Sequence, residues 1–298
     1  LPLELEPLPA GFEIYKLKAG GMAGGHSGVD IHECRANAIR VLARTLQDLH
    51  STVDARIVDL KGGSAHNAIP RDASAIVAIP QGVDAASVVS EANALLKSEF
   101  ANTDPNLDVG LAAHDATFEQ ALTPEGTQKV LDFIMTIPHG VAAMSTDIDG
   151  LVETSNNEAT LVIEDGTLSI QSSQRSSVMS RLRAHTKRIE GIARLAGGTF
   201  ESGNGYPAWQ PNMASELLER CATIYREMFD KEPVVEAIHA GLECGIIGSK
   251  YDGMDMISFG PTIKNPHSPD EKIYVPSIAL VWDYLVAILA SYAAEGNA

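Results

Sequence analysis

Histidine is framed by glycine in Gly24-Gly25-His26-Ser27-Gly28. Glycine lets backbone approach a surface closely and presents an imidazole on an exposed turn. Such a histidine can donate a hydrogen bond to a developing oxyanion, or it is a loop histidine ahead of a helix. A second polar cluster runs from Gly62 to Arg71, through Ser64, His66, Asn67 and Pro70. Asn67 can donate and accept there, and the alternative is a plain connecting turn. A third is Ser172-Ser173-Gln174-Arg175-Ser176-Ser177. Arg175 sits where a strand gives way to a helix, and its fork of donors suits a carboxylate. The alternative is helix capping by the serines beside a solvated arginine. A fourth pairs His239–Gly245 with Gly260–Glu271, each following a strand-like run. Ligands of open α/β sheets gather outside such strand ends. His267, held between Pro266 and Pro269 near Asp270 and Glu271, is of a type that binds zinc. One histidine without partners does not specify a metal site, and a polar surface loop reads the same way.

The elements that must position these residues alternate between strand and helix. Phe12–Lys18, Arg56–Lys61, Ala73–Ile79 and Leu107–Ala113 read as strands. Asp30–His50 reads as a helix, with Ile31, Ala38, Leu42, Leu46 and Leu49 at helical spacing and Asp30 with Glu33 as a capping pair. Ala85–Phe100 and Thr123–Met135 are further helices, the latter opening at Pro124. Leu151–Glu164 and Thr167–Gln171 read as strands around the turn Glu164-Asp165-Gly166-Thr167. Ser177–Leu195 is a basic helix. Glu201–Pro211, rich in glycine and proline, is the predicted linker. Beyond it come a helix (Met213–Phe229), a strand (Val234–Ile238), a short helix after Glu243, a strand (Met256–Phe259) and a final helix. The stretch before the linker reads as two successive α+β halves, each with helices on one face of an antiparallel sheet.

Composition narrows the function classes. With 298 residues, 45% hydrophobic and 20% charged, the chain is soluble and globular and can bury a sizeable core. A formal charge of −17 leaves no basic footprint for nucleic acid and repels anionic membrane surfaces. Cys34, Cys221 and Cys244 are far apart and in no CxxC pair, which fits a reducing cytoplasm. Ser277–Ala294 is apolar but carries Asp283, so a buried C-terminal helix is expected rather than a membrane span. The N-terminus, acidic and proline-rich, has no signal-peptide character, and it lacks an initiator methionine. A processed product or a fragment is therefore expected.

Taken together, GGHSGVDIHECRANAI, NAIPR, SSQRSS, YPAWQPN, HAGLECG and GPTIKNPHSPDEKIYVPS resemble, in order, the aminoacyl-histidine (Xaa-His) dipeptidases of the M20 metallopeptidases. The resemblance covers essentially the whole chain. It implies an α/β zinc-peptidase catalytic domain carrying an inserted two-part α+β lid. Residues 1–204 would be the lid and dimerisation domain, and residues 205–298 the returning C-terminal segment of the catalytic domain. The family's HxD motif, Glu-Glu pair and further Asp, which supply nearly all zinc ligands and the general base, have no counterpart in this sequence. Of the metal ligands only His267 matches.

The resemblance also implies roles. His26 would stabilise the oxyanion, reaching across from a neighbouring subunit's lid. Asn67 and Arg175 would bind the substrate's C-terminal carboxylate. Gly241 and Glu243 would contact the substrate, and His239 receives no role. The complete protein would hold two zinc ions, with cobalt or manganese as substitutes. It would act on unblocked dipeptides of the carnosine-like Xaa-His class as a cytoplasmic homodimer. These residues alone would be an inactive portion. The competing readings are a deacylase or carboxypeptidase of the same superfamily, and a non-catalytic dimerising or peptide-binding module.

Overall fold

A computed structural model describes the chain except residues 147, 204, 206, 208, 210–211, 237–242, 265–270 and 296–298. It divides into two compact units, one holding Leu1–Asn204 and the other beginning at Gly205. In the first unit the strands are β1 (Leu5–Pro7), β2 (Phe12–Gly20), β3 (Gly25–His26), β4 (Arg56–Gly62), β5 (Ala68–Ile69), β6 (Ala73–Pro80), β7 (Asp108–Ala113), β8 (Gln120–Leu122), β9 (Gly140–Met144), β10 (Val152–Glu164) and β11 (Thr167–Ser176). The helices are α1 (Ala38–Val53), α2 (Ala85–Glu99), α3 (Pro124–Thr136) and α4 (Met179–Leu195).

One antiparallel seven-stranded sheet runs β11-β10-β4-β6-β2-β7, with β9 also on β10. The two expected halves therefore share one continuous sheet instead of building one each. β10, thirteen residues long, joins them by pairing with β4, β9 and β11. The β10–β11 hairpin turns at Asp165 (φ 48°) and Gly166 (φ 69°). Two successive left-handed residues match the twist of the paired strands.

The core lies between the sheet and α1–α3. Ile39, Leu42, Ala43, Leu46 and Leu49 are buried along one stripe of α1, against Leu17, Val77 and Leu60 of the sheet. Each such side chain contributes about 1.5–3 kcal/mol on burial. The helix begins later than its periodicity suggests. Asn37 caps it, its side chain accepting from the Ile39 amide at 2.9 Å, a contribution of about 1 kcal/mol. Residues ahead of it form only a 3₁₀ turn, Ile31–Glu33, closed by Cys34 at φ 53°. Asp30 does not cap that turn through its side chain; the carboxylate is taken by the His26 amide instead.

The second unit holds α5 (Glu216–Phe229), α6 (Glu243–Gly248), β12 (Ile263–Lys264), β13 (Lys272–Ile273) and α7 (Pro276–Glu295). Its small core centres on Tyr284, whose hydroxyl donates to the Cys221 carbonyl at 2.7 Å and whose ring meets Tyr225 edge-on. The expected strand at Met256–Phe259 is not formed, and neither is one over the described residues 234–236. The final helix forms but is not buried as expected. Only 17% of its apolar window is covered, and Leu280, Trp282 and Leu289 are exposed. α5 covers just one side of it, through Tyr284 and Ile288. By length and composition alone α7 could cross a membrane, although Asp283 lies exposed at its middle.

Candidate functional site

Three of the residues singled out by type converge in the first unit. The segment after β2 turns back to form β3, which pairs antiparallel with β5 in the register Gly25 to Ile69 and His26 to Ala68. This two-stranded ladder places the glycine–histidine turn beside the Asn67 loop. The Ser27 amide donates to the Asn67 carbonyl at 2.8 Å. Arg175, near the end of β11, reaches the same serine: Nη2 donates to Ser27 Oγ at 3.2 Å and Nε at 3.4 Å. Ser27 is fully buried and is thus the hinge point joining His26, Asn67 and Arg175. Ile31, Ile69 and Val152 form a small apolar cluster beneath the ladder.

His26 is half-buried, not on an open turn as its glycine neighbours suggest. The Gly28 and Val29 amides both donate to its Nδ1, at 3.2 and 3.1 Å. A nitrogen that accepts two N–H donors carries no proton, so the neutral ring holds its proton on Nε2. Gly25 (φ 144°) makes the approach possible, since a Cβ there would meet Arg35 Nη1 at 2.6 Å and Asp30 Oδ2 at 2.7 Å.

Arg175 lies within the strand, not at a helix start, because β11 extends to Ser176. It is half-buried, and no carboxylate among the described residues pairs with it. Burial alone holds its pKa below the ordinary arginine value. An anion arriving there would relieve that desolvation. The Asn67 carboxamide likewise bonds to no described residue and is half-buried. Both are polar side chains with no charged partner among the described residues, on segments that Ser27 joins to the ladder bearing His26.

β10 supports this arrangement with a run of buried polar residues, Glu153 to Glu158. Asn157 donates to the Ala68 carbonyl of β5 at 2.8 Å. Glu158 is 3.4 Å from Arg40, and the Asn37 carboxamide donates to its backbone carbonyl at 2.8 Å. Burial raises the Glu158 carboxyl to about 7 and lowers His139 to about 3, the latter helped by Arg40. Sequence reading missed Ser27, Asn157 and Glu158. Only the polar run Glu153-Thr-Ser-Asn-Asn-Glu158 inside a strand signalled that something in this sheet is held by hydrogen bonds.

Glu243 stands exposed at the start of α6 in the second unit. Gly241, His239 and His267 lie outside the described residues. Among the described residues no three His, Cys, Asp or Glu side chains are grouped to hold a metal. They do not fit the two-zinc centre that the resemblance implies.

The M20 peptidase dimerisation domain matches residues 17–104. The chain is 36% identical to the cytosol non-specific dipeptidase of Escherichia coli (strain K12), over 99% of this chain and 61% of that protein. It superposes on the crystal structure of aminoacylhistidine dipeptidase from Vibrio alginolyticus with a TM-score of 0.88 and 35% identity. That match covers 98% of this chain and 60% of the other. The chain carries the dimerisation domain of M20-type peptidases. Nearly the whole chain is similar to these two dipeptidases, and it spans about three fifths of their length.

Proposed function

We propose that the complete protein is a cytoplasmic metallo-dipeptidase acting on unblocked dipeptides of the Xaa-His class, and that the first unit supplies its substrate-clamping and oxyanion-binding groups. Residues 1–204 act as the lid and dimerisation domain, and residues 205–298 as part of the catalytic domain. The observation that carries this reading is Arg175: half-buried, without an acidic partner among the described residues, and tied through Ser27 to the ladder bearing His26 and Asn67. Arg175 and Asn67 hold the C-terminal carboxylate. His26 donates from Nε2 to the oxygen on which negative charge builds. Gly241 and Glu243 are further substrate contacts in this reading. Zinc is the metal this reading favours, with His267 as one ligand and cobalt or manganese as substitutes. The residues described here account for carboxylate capture and oxyanion stabilisation, not for activating the attacking water, so the 298 residues alone should be nearly inactive. The matched dimerisation domain supports a homodimer.

The test compares dipeptides with the same dipeptides amidated at the C-terminus, on the complete protein. Free dipeptides should be cleaved and the amides nearly refused, and Arg175→Ala should shrink that preference by raising KM for the free forms. Equal cleavage of both would remove Arg175 from the carboxylate site.

A further inference from the structure

The segment bearing His26 leaves β2 at Gly20 and reaches α1 at Asn37, and one buried carboxylate holds both of its limbs. Asp104 Oδ1 accepts from the Ala23 amide at 2.8 Å, and Oδ2 accepts from the Ala36 amide at 2.7 Å. Asp104 is only 1% exposed, and no lysine or arginine among the described residues pairs with it. Its backbone is fixed in turn, donating to the Phe100 carbonyl at 2.8 Å and accepting from the Leu107 amide at 2.9 Å. Burying a charge is costly unless hydrogen bonds compensate it, and here the compensation comes from two amides outside any strand or helix.

Between those amides the loop is tied to itself. The His26 amide donates to Asp30 Oδ2 at 2.7 Å, the Asp30 amide returns to the His26 carbonyl at 3.0 Å, and Arg35 donates to the Gly24 carbonyl. Residues 24–35 are thus braced internally and paired to β5 through β3, and Asp104 sits at the neck of the loop.

We propose that Asp104 is a positioning residue for His26, clamping the two ends of the loop so that the imidazole is held ready for the oxyanion. It touches no substrate and acts only through the loop. The role rests on the reading of His26 as the oxyanion donor.

The experiment uses Asp104→Asn in the complete, metal-loaded protein. Asparagine keeps the shape but turns an N–H toward one of the two amides, so one limb is released. Hydrogen exchange of amides within 24–35 should quicken roughly tenfold or more while β2 and α1 keep their protection. The kcat for dipeptides should fall about 10- to 100-fold, the scale of a misplaced catalytic group, with KM changed less than about twofold. In a His26→Ala background the same substitution should cost almost nothing further, because its effect runs through the lost ring. Unchanged exchange in the loop, or a loss of kcat that simply adds to that of His26→Ala, overturns the proposal. If His26→Ala itself leaves kcat intact, the functional reading of His26 fails, and the exchange result alone then decides whether Asp104 clamps the loop. Asp104→Ala, which deletes both acceptor oxygens without adding a donor, serves the same tests if the asparagine variant does not fold.

Discussion

Two backbone amides converging on His26 Nδ1 fix the tautomer, and the tautomer decides what the ring can do. With the proton on Nε2 the side chain is a hydrogen-bond donor and not a lone-pair ligand on that nitrogen. His26→Ala in the complete protein should lower kcat by roughly 10²–10³-fold, the loss seen when one oxyanion donor is removed. KM should barely move, since the bond forms chiefly in the transition state. Bound metal should stay the same. Loss of metal would make His26 a ligand, and near-normal kcat would make it a loop histidine. On the proposed reading Arg175→Ala should behave oppositely, raising KM strongly, because a carboxylate bound there would be held in ground and transition states alike. The sequence singles these two out as candidates, an imidazole among glycines and a guanidinium near a strand end. Ser27 and Asp104 are not singled out. Each works by hydrogen bonds to groups 148 and 68–81 positions away, and a serine or aspartate in a loop carries no local sign of such partners.

At the level of elements, strands and helices of the first unit were readable because period and turn chemistry agreed. β2 largely alternates, β6 is a short apolar run, the β10–β11 hairpin turns on left-handed residues, and α1–α3 carry apolar stripes with capping side chains. The start of α1 was not readable. Ile31 continues the apolar spacing but belongs to a separate cluster with Ile69 and Val152. The two-residue strands β3 and β5 were missed as well, being too short to show a period. The buried pair at the α1–β10 contact gives a pH prediction. Glu158 has its folded pKa raised from 4.5 to about 7, so its contribution is complete below 4.5 and fades as pH rises through 7. His139 is lowered from 6.5 to about 3, so its contribution is present above 6.5 and lost as pH falls through 3. Between 4.5 and 6.5 the two trends oppose each other. Glu158→Gln removes only the first, while Arg40 keeps its bonds to the carbonyls of Ile134, Met135 and Ile137. The melting temperature of this variant relative to the parent should therefore be more favourable at pH 8 than at pH 4.5. A difference independent of pH would mean that Glu158 stays ionised in its buried site.

For the whole molecule, the character of the sequence changes where the chain passes from one compact unit to the other, between Asn204 and Gly205. The preceding helix has already ended at Leu195, with Gly197 at φ 80°, and the glycine–proline stretch that follows favours neither helix nor strand. Glu201, Ser202, Gly203 and Gly205 are all exposed, and exposed tips of small and polar residues are where proteases cut first. Limited proteolysis should cut within 201–211 before it cuts α1 or α4. The uncovered apolar side of α7 was not foreseeable, because composition reports how apolar a helix is and not how much of the chain covers it. Metal binding is a question at this same scale. A two-zinc centre needs several ligands for each ion, yet this sequence offers only His267 in the family pattern, and the described residues bring no three candidate ligands together. Calorimetric titration of the 298-residue chain with zinc should give weak binding without a defined stoichiometry, whereas in the complete protein His267→Ala should lower metal occupancy and leave dimerisation alone. Two tight sites on the 298 residues would mean that aspartates and glutamates of this chain form a centre of another pattern, and the division of labour proposed here between carboxylate clamp and metal site would have to be abandoned.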